Sequence, residues 1–347
     1  MFSSLSLLPL LLIFGGAAAA VWIAGTHLSE AVDALSSQLG IGEAFGGLIL
    51  LAFATNLPEI AITASASLSG QIEIAVGNIL GGIAIQTVVL VLLDGVGIGR
   101  TSTLTHRAES LVLVLEGVLV IAILLVVIMM TQLPGSLAVK GIEPGGFIIV
   151  AVWIAGLLLV GKARTGLPWQ RKDQNQDSDS PSKANKDPGM GKAKASIIFF
   201  VGAIVTLGAG VTLERSGDAI AGHIGMSGVF FAATILAAST SLPEISTGLE
   251  AVRLGDIEMA VSDILGGNAF LPVLFLEAAL LSGAAVLSTA QPSDIYLAGL
   301  GAALTAVYVF GLAFGSSRQK GQLGLDSWVV LLLYVLGIAG LAVIVRG

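Results

Sequence analysis

The sequence predicts an all-α polytopic membrane protein of about ten transmembrane helices, arranged as two five-helix repeats of inverted topology. Its composition, the spacing of its apolar runs and an internal repeat lead to this prediction. Of 347 residues, 55% are hydrophobic and only 11% are charged, and the mean hydropathy is +0.95. One soluble core could not bury so much apolar side chain, so we expect these surfaces to face the lipid bilayer.

Ten apolar runs have the length of a transmembrane helix, which needs about 20 residues. The first run lacks the basic residues that precede a cleaved signal sequence, so we interpret it as a retained first helix. The 45 glycines suit helices that pack closely in a membrane. The runs lie at residues 3–25, 42–69, 72–96, 108–131, 142–161, 195–214, 227–252, 256–283, 294–315 and 326–345.

A polar segment divides the chain between the fifth and sixth runs. It is rich in Lys, Asp, Ser and Pro and lacks the spacing of an EF-hand, which predicts a flexible linker and not a calcium loop. The predicted units are an N-terminal five-helix half (1–161), the linker (162–194) and a C-terminal five-helix half (195–347). With both termini outside, thirteen of the 16 Lys and Arg residues lie on the cytoplasmic side together with the linker, which is the charge asymmetry that orients membrane proteins.

An internal repeat relates the two halves at a spacing of 185 residues. Residues 51–86 align without a gap to residues 236–271, and 18 of the 36 positions are identical, including TxLPEI and ILGG. The repeats begin in the second and seventh spans, an odd offset that gives them opposite directions across the membrane. Inverted repeats are typical of secondary transporters, whose substrate site lies near the midplane between the repeats.

Glu59 and Glu244 are repeated carboxylates near the middle of their spans. A charge at the bilayer centre costs roughly 2.5 to 3.5 kcal/mol on insertion scales. Neither helix has a lysine or arginine near the glutamate. The expected partner of each glutamate is therefore a bound cation or a proton. The alternative is a protonated glutamate with a purely structural role, which is less expected because it would have to occur in both repeats.

Each TxLPE motif offers three kinds of oxygen. Thr55 and Thr240 stand one turn before the glutamates on the same helix face. The proline of each motif lacks the N–H that would bond the carbonyl four residues earlier, which frees the carbonyls of Ala54 and Ser239. Carboxylate, hydroxyl and carbonyl oxygens together suit calcium, which takes six to eight oxygen ligands.

The partner helix of each repeat adds further polar side chains. Asn78 and its repeat mate Asp263 are expected to complete the cage, whereas Gln86 fits a ligand and an interhelical hydrogen bond equally well. No cysteine occurs, which excludes disulfides and thiolate ligands. The net charge of −7 provides no basic surface for nucleic acid, and no Ser-His arrangement or HExxH motif points to an enzyme.

At TNLPE…GNILGG and TSLPE…SDILGGN the sequence resembles the two alpha-repeats of the cation/calcium antiporter superfamily, which includes sodium/calcium and proton/calcium exchangers. The resemblance implies calcium antiport with Na⁺ or H⁺ as the coupling ion and no resident cofactor. It also implies that the residues at the family's calcium-ligand positions are Thr55, Glu59, Thr240 and Glu244.

The sequence departs from the family pattern at positions that help to bind sodium. Asn56 stands where the family has Ser, and the second glycine of each ILGG motif also stands where the family has Ser. Gln86 and Leu271 stand where the family has an amide or a carboxylate. Ser241 and Asn268 keep the family residue. Sodium and protons both remain open as coupling ions. An antiporter of another cation, such as magnesium or manganese, and a passive divalent-cation channel are the alternative interpretations; the oligomeric state is not predicted.

Overall fold

The computed structural model is a bundle of membrane-length helices and describes residues 2–39, 53–98, 102–108, 110–139, 141–164, 190–315 and 318–346. Within these ranges eight helices are long and apolar enough to cross a membrane, and a bent pair forms a ninth span. The shorter apolar helix Leu57–Leu68 falls in the second predicted span. Residues 40–52, which include the beginning of that span, lie outside the described ranges. The predicted all-α membrane fold is confirmed.

The helices are numbered here in chain order. The N-terminal half has α1 (Leu7–Leu39), α2 (Leu57–Leu68), α3 (Ile72–Leu92, prolonged by the π-helical segment Leu93–Ile98), α4 (Leu104–Arg107), α5 (Leu111–Thr131) and α6 (Pro144–Arg164). The C-terminal half has α7 (Lys192–Ile224), α8 (Gly228–Phe231), α9 (Ala237–Thr240), α10 (Leu242–Leu254), α11 (Ile257–Phe270), α12 (Leu274–Ser282), α13 (Pro292–Phe314) and α14 (Leu325–Arg346).

Short segments join several of these helices. A π-helical segment, Ala232–Leu236, connects α8 to α9, and a 3₁₀ turn, Leu271–Val273, connects α11 to α12. Two further 3₁₀ turns lie at Phe2–Ser4 and Gly135–Leu137. Before α14, β1 (Gln319–Lys320) pairs antiparallel with β2 (Leu323–Gly324), with Gln319 opposite Gly324.

The first helices of the two halves, α1 and α7, are longer than their predicted spans. Each has 33 residues, about 50 Å of helix, so each must tilt or extend beyond a hydrocarbon core of about 30 Å. They pack along each other and bury only 28% of their most apolar windows, whereas α3 buries 83%. The pair therefore lies at the lipid-facing periphery, and α3 lies at the centre of the bundle.

The repeat extends beyond the two aligned motifs. α7 begins and ends 185 residues after α1, and Gly25 and Gly210 are separated by the same interval. A Cβ on Gly25 would lie 2.7 Å from Pro243 Cγ, and one on Gly210 would lie 3.0 Å from the Pro58 carbonyl oxygen. Each half therefore lays its first helix against the proline of the other half, which gives the fold its twofold pseudosymmetry.

The bundle has two ends that are distinguished by the linker. We call the end where α6 finishes at Arg164 and α7 begins at Lys192 the linker side, and the opposite end the far side. Residues 165–189, most of the predicted linker, lie outside the described residues, so the division at 162 and 194 stays a prediction. The cytoplasmic location of the linker and the outside location of both termini also stay predictions.

Buried carboxylates tie the two halves together at both ends. On the linker side Asp94 accepts hydrogen bonds from Leu104 N, Gly324 N and Ser327 Oγ, each at 2.7 Å. On the far side Glu143 accepts from three consecutive backbone amides, those of residues 286–288, at 2.7 to 3.0 Å. These bonds hold the loops of one half against the other.

Candidate functional site

Both TxLPE motifs interrupt a helix. Asn56 (φ −92°, ψ 15°) precedes α2, and its repeat mate Ser241 (φ −83°, ψ 5°) separates α9 from α10. The proline follows in the first turn of each new helix, where its missing N–H costs no hydrogen bond. In the second repeat the chain bends by 42° at this point. The sequence therefore builds two broken spans at mirrored positions.

The break places Glu59 and Glu244 in the first turn of α2 and α10. Glu59 is 0% exposed and Glu244 is 4% exposed, and neither carboxylate has a hydrogen-bond partner among the described residues. The N-terminus of a helix carries a partial positive charge that favours a nearby carboxylate. The helix start thus offsets part of the cost of burying each charge and leaves the carboxylate oxygens available to a ligand.

The hydroxyl and carbonyl oxygens predicted as cation ligands lie around the helix break of each TxLPE motif. Thr240 Oγ1 donates to the Ala237 carbonyl at 3.1 Å, and its side chain lies near the Glu59 carboxylate without forming a hydrogen bond of ordinary geometry to it. Thr55 lines a cavity that opens toward the linker side. Ala54 and Ser239 stand four residues before the two prolines, which cannot donate to their carbonyls.

Asn78 and Gln86 on α3 are buried amides without partners in the described chain. Both are at most 1% exposed, and all four of their amide atoms lack hydrogen bonds. A Cβ on Gly267 would lie 3.4 Å from Gln86 Oε1 and 3.6 Å from Asn56 Nδ2, so the amides of Gln86 and Asn56 lie beside the second glycine of that ILGG motif. Buried polar groups are nearly always paired, so the unpaired amide atoms of Asn78 and Gln86 make these two residues candidate ligands.

Other predicted contacts are partly engaged within the protein. Ser241 Oγ donates to the Ala237 carbonyl at 2.9 Å. Asn56 Nδ2 lies 3.4 Å from Thr55 Oγ1. Asn268, a position that the family resemblance had marked, donates from Nδ2 to Thr87 Oγ1 at 3.2 Å. The Asn268 bond uses only the amide nitrogen, and its Oδ1 has no hydrogen bond among the described residues.

Asp263 connects the site to the linker side. Its carboxylate interacts electrostatically with Glu244, as does that of Glu59. Asp263 lines two cavities, of about 500 and 670 Å³. The smaller cavity also reaches Thr55 and Gly267. Asp256, in the turn between α10 and α11 on the linker side, lines both cavities. The site is therefore approached from the linker side.

The repeat mates on α3 and α11 differ in how tightly they are packed. A Cβ on Gly81 would collide with the backbone of Ala233, and one on Gly77 would lie 3.0 Å from the Val229 carbonyl oxygen. Their mates are Gly266, which has nothing within 4 Å of such a Cβ, and Ser262, and both line the smaller cavity. Equivalent surfaces are thus packed in the first repeat and open in the second.

This difference in packing predicts that a glycine-to-alanine substitution has different effects on stability at Gly81 and at its repeat mate Gly266. Gly81→Ala is expected to destabilise the protein by about 1 to 3 kcal/mol, because the added methyl overpacks a helix contact. Gly266→Ala meets open space and is expected to leave stability unchanged or raise it by up to about 1 kcal/mol, the helix preference of alanine over glycine. Thermal unfolding of the two purified variants in detergent measures the difference; equal melting temperatures would contradict the packing asymmetry.

The donor set limits what the site can hold. The described residues contain no group of three or more His, Asp or Glu side chains arranged for a metal ion. A cation bound between the two glutamates would be surrounded mainly by neutral oxygens of amides, hydroxyls and carbonyls, with Asp263 as a further carboxylate that interacts with Glu244. Such a mixed oxygen set is typical of calcium and sodium and does not suit soft metals.

The comparison with known families decides the class of protein. A model of the family described as sodium/calcium exchanger protein matches residues 9–162 and 194–343. The chain belongs to the sodium/calcium exchanger protein family. The two matched segments leave out most of the predicted linker and cover both five-helix halves, and the family is one of membrane exchangers of inorganic cations.

Two related proteins have low sequence identity to this chain but align with most of its length. A protein named antiporter CaxA, from Alkalimonas amylolytica, is 24% identical over 318 residues, which cover 91% of this chain and 92% of the relative. The inner membrane protein YrbG of Escherichia coli (strain K12) is 26% identical over 253 residues, 72% of this chain and 73% of that protein.

Solved structures share the fold. The H⁺/Ca²⁺ exchanger CAX superposes with a TM-score of 0.62 at 14% identity, covering 96% of this chain and 87% of that one. The sodium-calcium exchanger NCX_Mj, soaked with Na⁺ and Sr²⁺, superposes with a TM-score of 0.58 at 17% identity, covering 96% and 99%. The predicted architecture of two inverted repeats is the architecture of this family.

Sequence reasoning did not find two features of the site. The prolines favour the first turn of a helix and so indicate the helix starts that carry Glu59 and Glu244, whereas the sequence analysis derives only free carbonyls from them. A cluster of Glu116, Arg164 and Ser262 beside the smaller cavity had no sequence signal, because its members come from three distant helices.

Proposed function

We propose that this protein exchanges calcium for sodium or protons by alternating access, and that the transported ions bind between Glu59 and Glu244. One observation carries the proposal: two buried carboxylates, both without hydrogen-bond partners in the described chain, stand at mirrored helix starts. Thr55, Thr240 and the carbonyls of Ala54 and Ser239 are the further ligands in this proposal. Asn78, Gln86 and Asp263 adjoin them, and Asn56 and Ser241 contribute to coupling-ion contacts.

Charge balance explains why transport would be coupled. A divalent cation neutralises both glutamates, and two monovalent ions or protons do the same. The cation-free site carries two like charges in a low-dielectric interior, which is costly unless they are compensated. The empty protein therefore resists changing its conformation, and the return step requires the coupling ion.

The two-sided geometry supports alternating access. Cavities on the linker side reach the candidate site, whereas on the far side Gly77 and Gly81 pack closely against α8 and the π-helical segment. In an inverted repeat the two halves can exchange these roles, which opens the far side and closes the linker side.

The test is flux in proteoliposomes that contain the purified protein. Uptake of radiolabelled calcium is measured into vesicles loaded with sodium, or acidified inside without sodium, against vesicles without a gradient. We expect at least one gradient to drive calcium above its equilibrium level. Calcium movement that follows only its own gradient would contradict exchange and favour a channel. Exchange of magnesium or manganese without calcium would change the substrate.

A further inference from the structure

A partly buried ion pair borders the smaller linker-side cavity. Arg164, at the end of α6, directs one Nη2 to Glu116 Oε1 on α5 and to Ser262 Oγ on α11, each at 2.7 Å. Ser262 Oγ also donates to Glu116 Oε1 at 3.1 Å. We call these three residues the Arg164 cluster. The Glu116 side chain is 7% exposed and that of Arg164 is 32% exposed, so the guanidinium reaches from the cavity wall into the protein.

The cluster lies on the route to the proposed cation site. Arg164 and Ser262 line the same cavity as Asp263, Thr55 and Gly267. The other charged residues that line it are Asp256, Glu258 and Asp263, all acidic, so among the described lining residues Arg164 is the only base. An arginine cannot lose its proton in a protein. A permanent positive charge therefore faces the path by which a cation would enter.

We propose that the Arg164 cluster sets the affinity for the transported cation on the linker side. Glu116 neutralises Arg164 and, together with Ser262, holds the guanidinium against the wall, so that the acidic residues of the cavity determine its potential. Glu116 is thus a positioning residue, which acts on the cation through Arg164. This inference rests on the proposed function and adds a determinant of its linker-side step.

The repeat predicts that loss of the Arg164 cluster affects cation affinity on the linker side only. The mate of Ser262 is Gly77, which has no hydroxyl and packs against Val229. The same three-residue arrangement cannot form at the mirrored position on the far side. Loss of the cluster should therefore change the linker-side KM and leave the far-side KM unaltered.

The experiment measures calcium transport from each side of the full-length protein. Everted and right-side-out membrane vesicles expose opposite ends, and the chain has no cysteine, so Lys192→Cys with a membrane-impermeant maleimide reports which end faces out. We expect Glu116→Gln to raise the linker-side KM roughly threefold to tenfold through an uncompensated charge near the path. Vmax and the far-side KM should stay within about twofold.

A double variant separates charge from structure. Glu116→Gln with Arg164→Gln removes both charges and should return the linker-side KM to near the wild-type value, since paired residues are non-additive. Lys162→Gln is the matched control: it removes a basic residue near the same helix end that is not among the cavity-lining residues, and it should not rescue Glu116→Gln. If Glu116→Gln does not yield folded protein, Ser262→Ala should raise the linker-side KM about twofold, because it removes one of the two contacts of Arg164.

Each outcome is decisive. A linker-side KM unchanged in Glu116→Gln and in Ser262→Ala, equal changes on both sides, or rescue by Lys162→Gln would overturn the role of the cluster while wild-type exchange stands. If wild-type vesicles show no gradient-driven exchange of any divalent cation, the proposed function fails, and this inference fails with it.

Discussion

Glu59→Gln and Glu244→Gln are each expected to reduce calcium exchange by roughly 30-fold or more. Glutamine keeps the shape of the side chain and removes one of the two charges that balance a divalent ion. Loss of one partner of a desolvated charge pair typically costs about 2 to 5 kcal/mol, and each 1.4 kcal/mol is tenfold in affinity. The effect should be similar for both residues, because they occupy mirrored helix starts.

The matched control is Glu214→Gln. Glu214 is 2% exposed, in a membrane-length helix like the site glutamates, but it accepts a hydrogen bond from Ser65 Oγ at 2.7 Å. We expect this variant to keep exchange within a few-fold of the wild type. Flux is measured in proteoliposomes with equal amounts of monodisperse protein. Full flux in either Glu59→Gln or Glu244→Gln would remove that residue from the proposed site.

Asn78→Leu is expected to separate stability from activity. Asn78 is 0% exposed and neither of its amide atoms has a partner in the described chain. An unpaired buried polar group costs about 1 to 3 kcal/mol, so an apolar side chain of similar size should stabilise the cation-free protein by a comparable amount. If the amide oxygen binds the ion, exchange should fall by roughly tenfold or more in the same variant.

Asn268→Leu serves as its counterpart. The Asn268 amide donates to Thr87 Oγ1, so the same substitution removes an existing hydrogen bond and should lower the melting temperature. Thermal unfolding in detergent, with and without calcium, measures both effects. We expect calcium to raise the melting temperature of the wild type, by the linkage of binding to stability, and this rise should be smaller in Asn78→Leu. A less stable Asn78→Leu protein with normal exchange would indicate a structural role for this amide.

Much of the fold follows from local features of the sequence. The length of the apolar runs predicts the spans, because a helix must cover the hydrocarbon thickness. The spacing of 185 residues between the TxLPE motifs predicts the inverted repeat, and the isolated glutamates predict the region of the site. These features need no knowledge of which helices touch, since each depends on the membrane or on neighbours within one helix turn.

Other features depend on packing between distant segments. The contact of Gly25 with Pro243, and of Gly210 with Pro58, joins the outer helices to the broken spans of the opposite halves. The Arg164 cluster joins helices that are 48 to 146 residues apart. The side on which the cavities open is a property of one conformation, and an alternating-access transporter has at least two with the same sequence. Periodicity and motif spacing contain no information about such contacts.

The most direct test of the glutamate site is equilibrium binding of radiolabelled calcium to the purified protein, without vesicles or gradients. We predict saturable binding to the wild type that excess sodium or acid displaces, and loss of that binding in both Glu59→Gln and Glu244→Gln but not in Glu214→Gln. Unchanged calcium binding in both site variants would contradict the account, because the ion would then bind elsewhere in the protein.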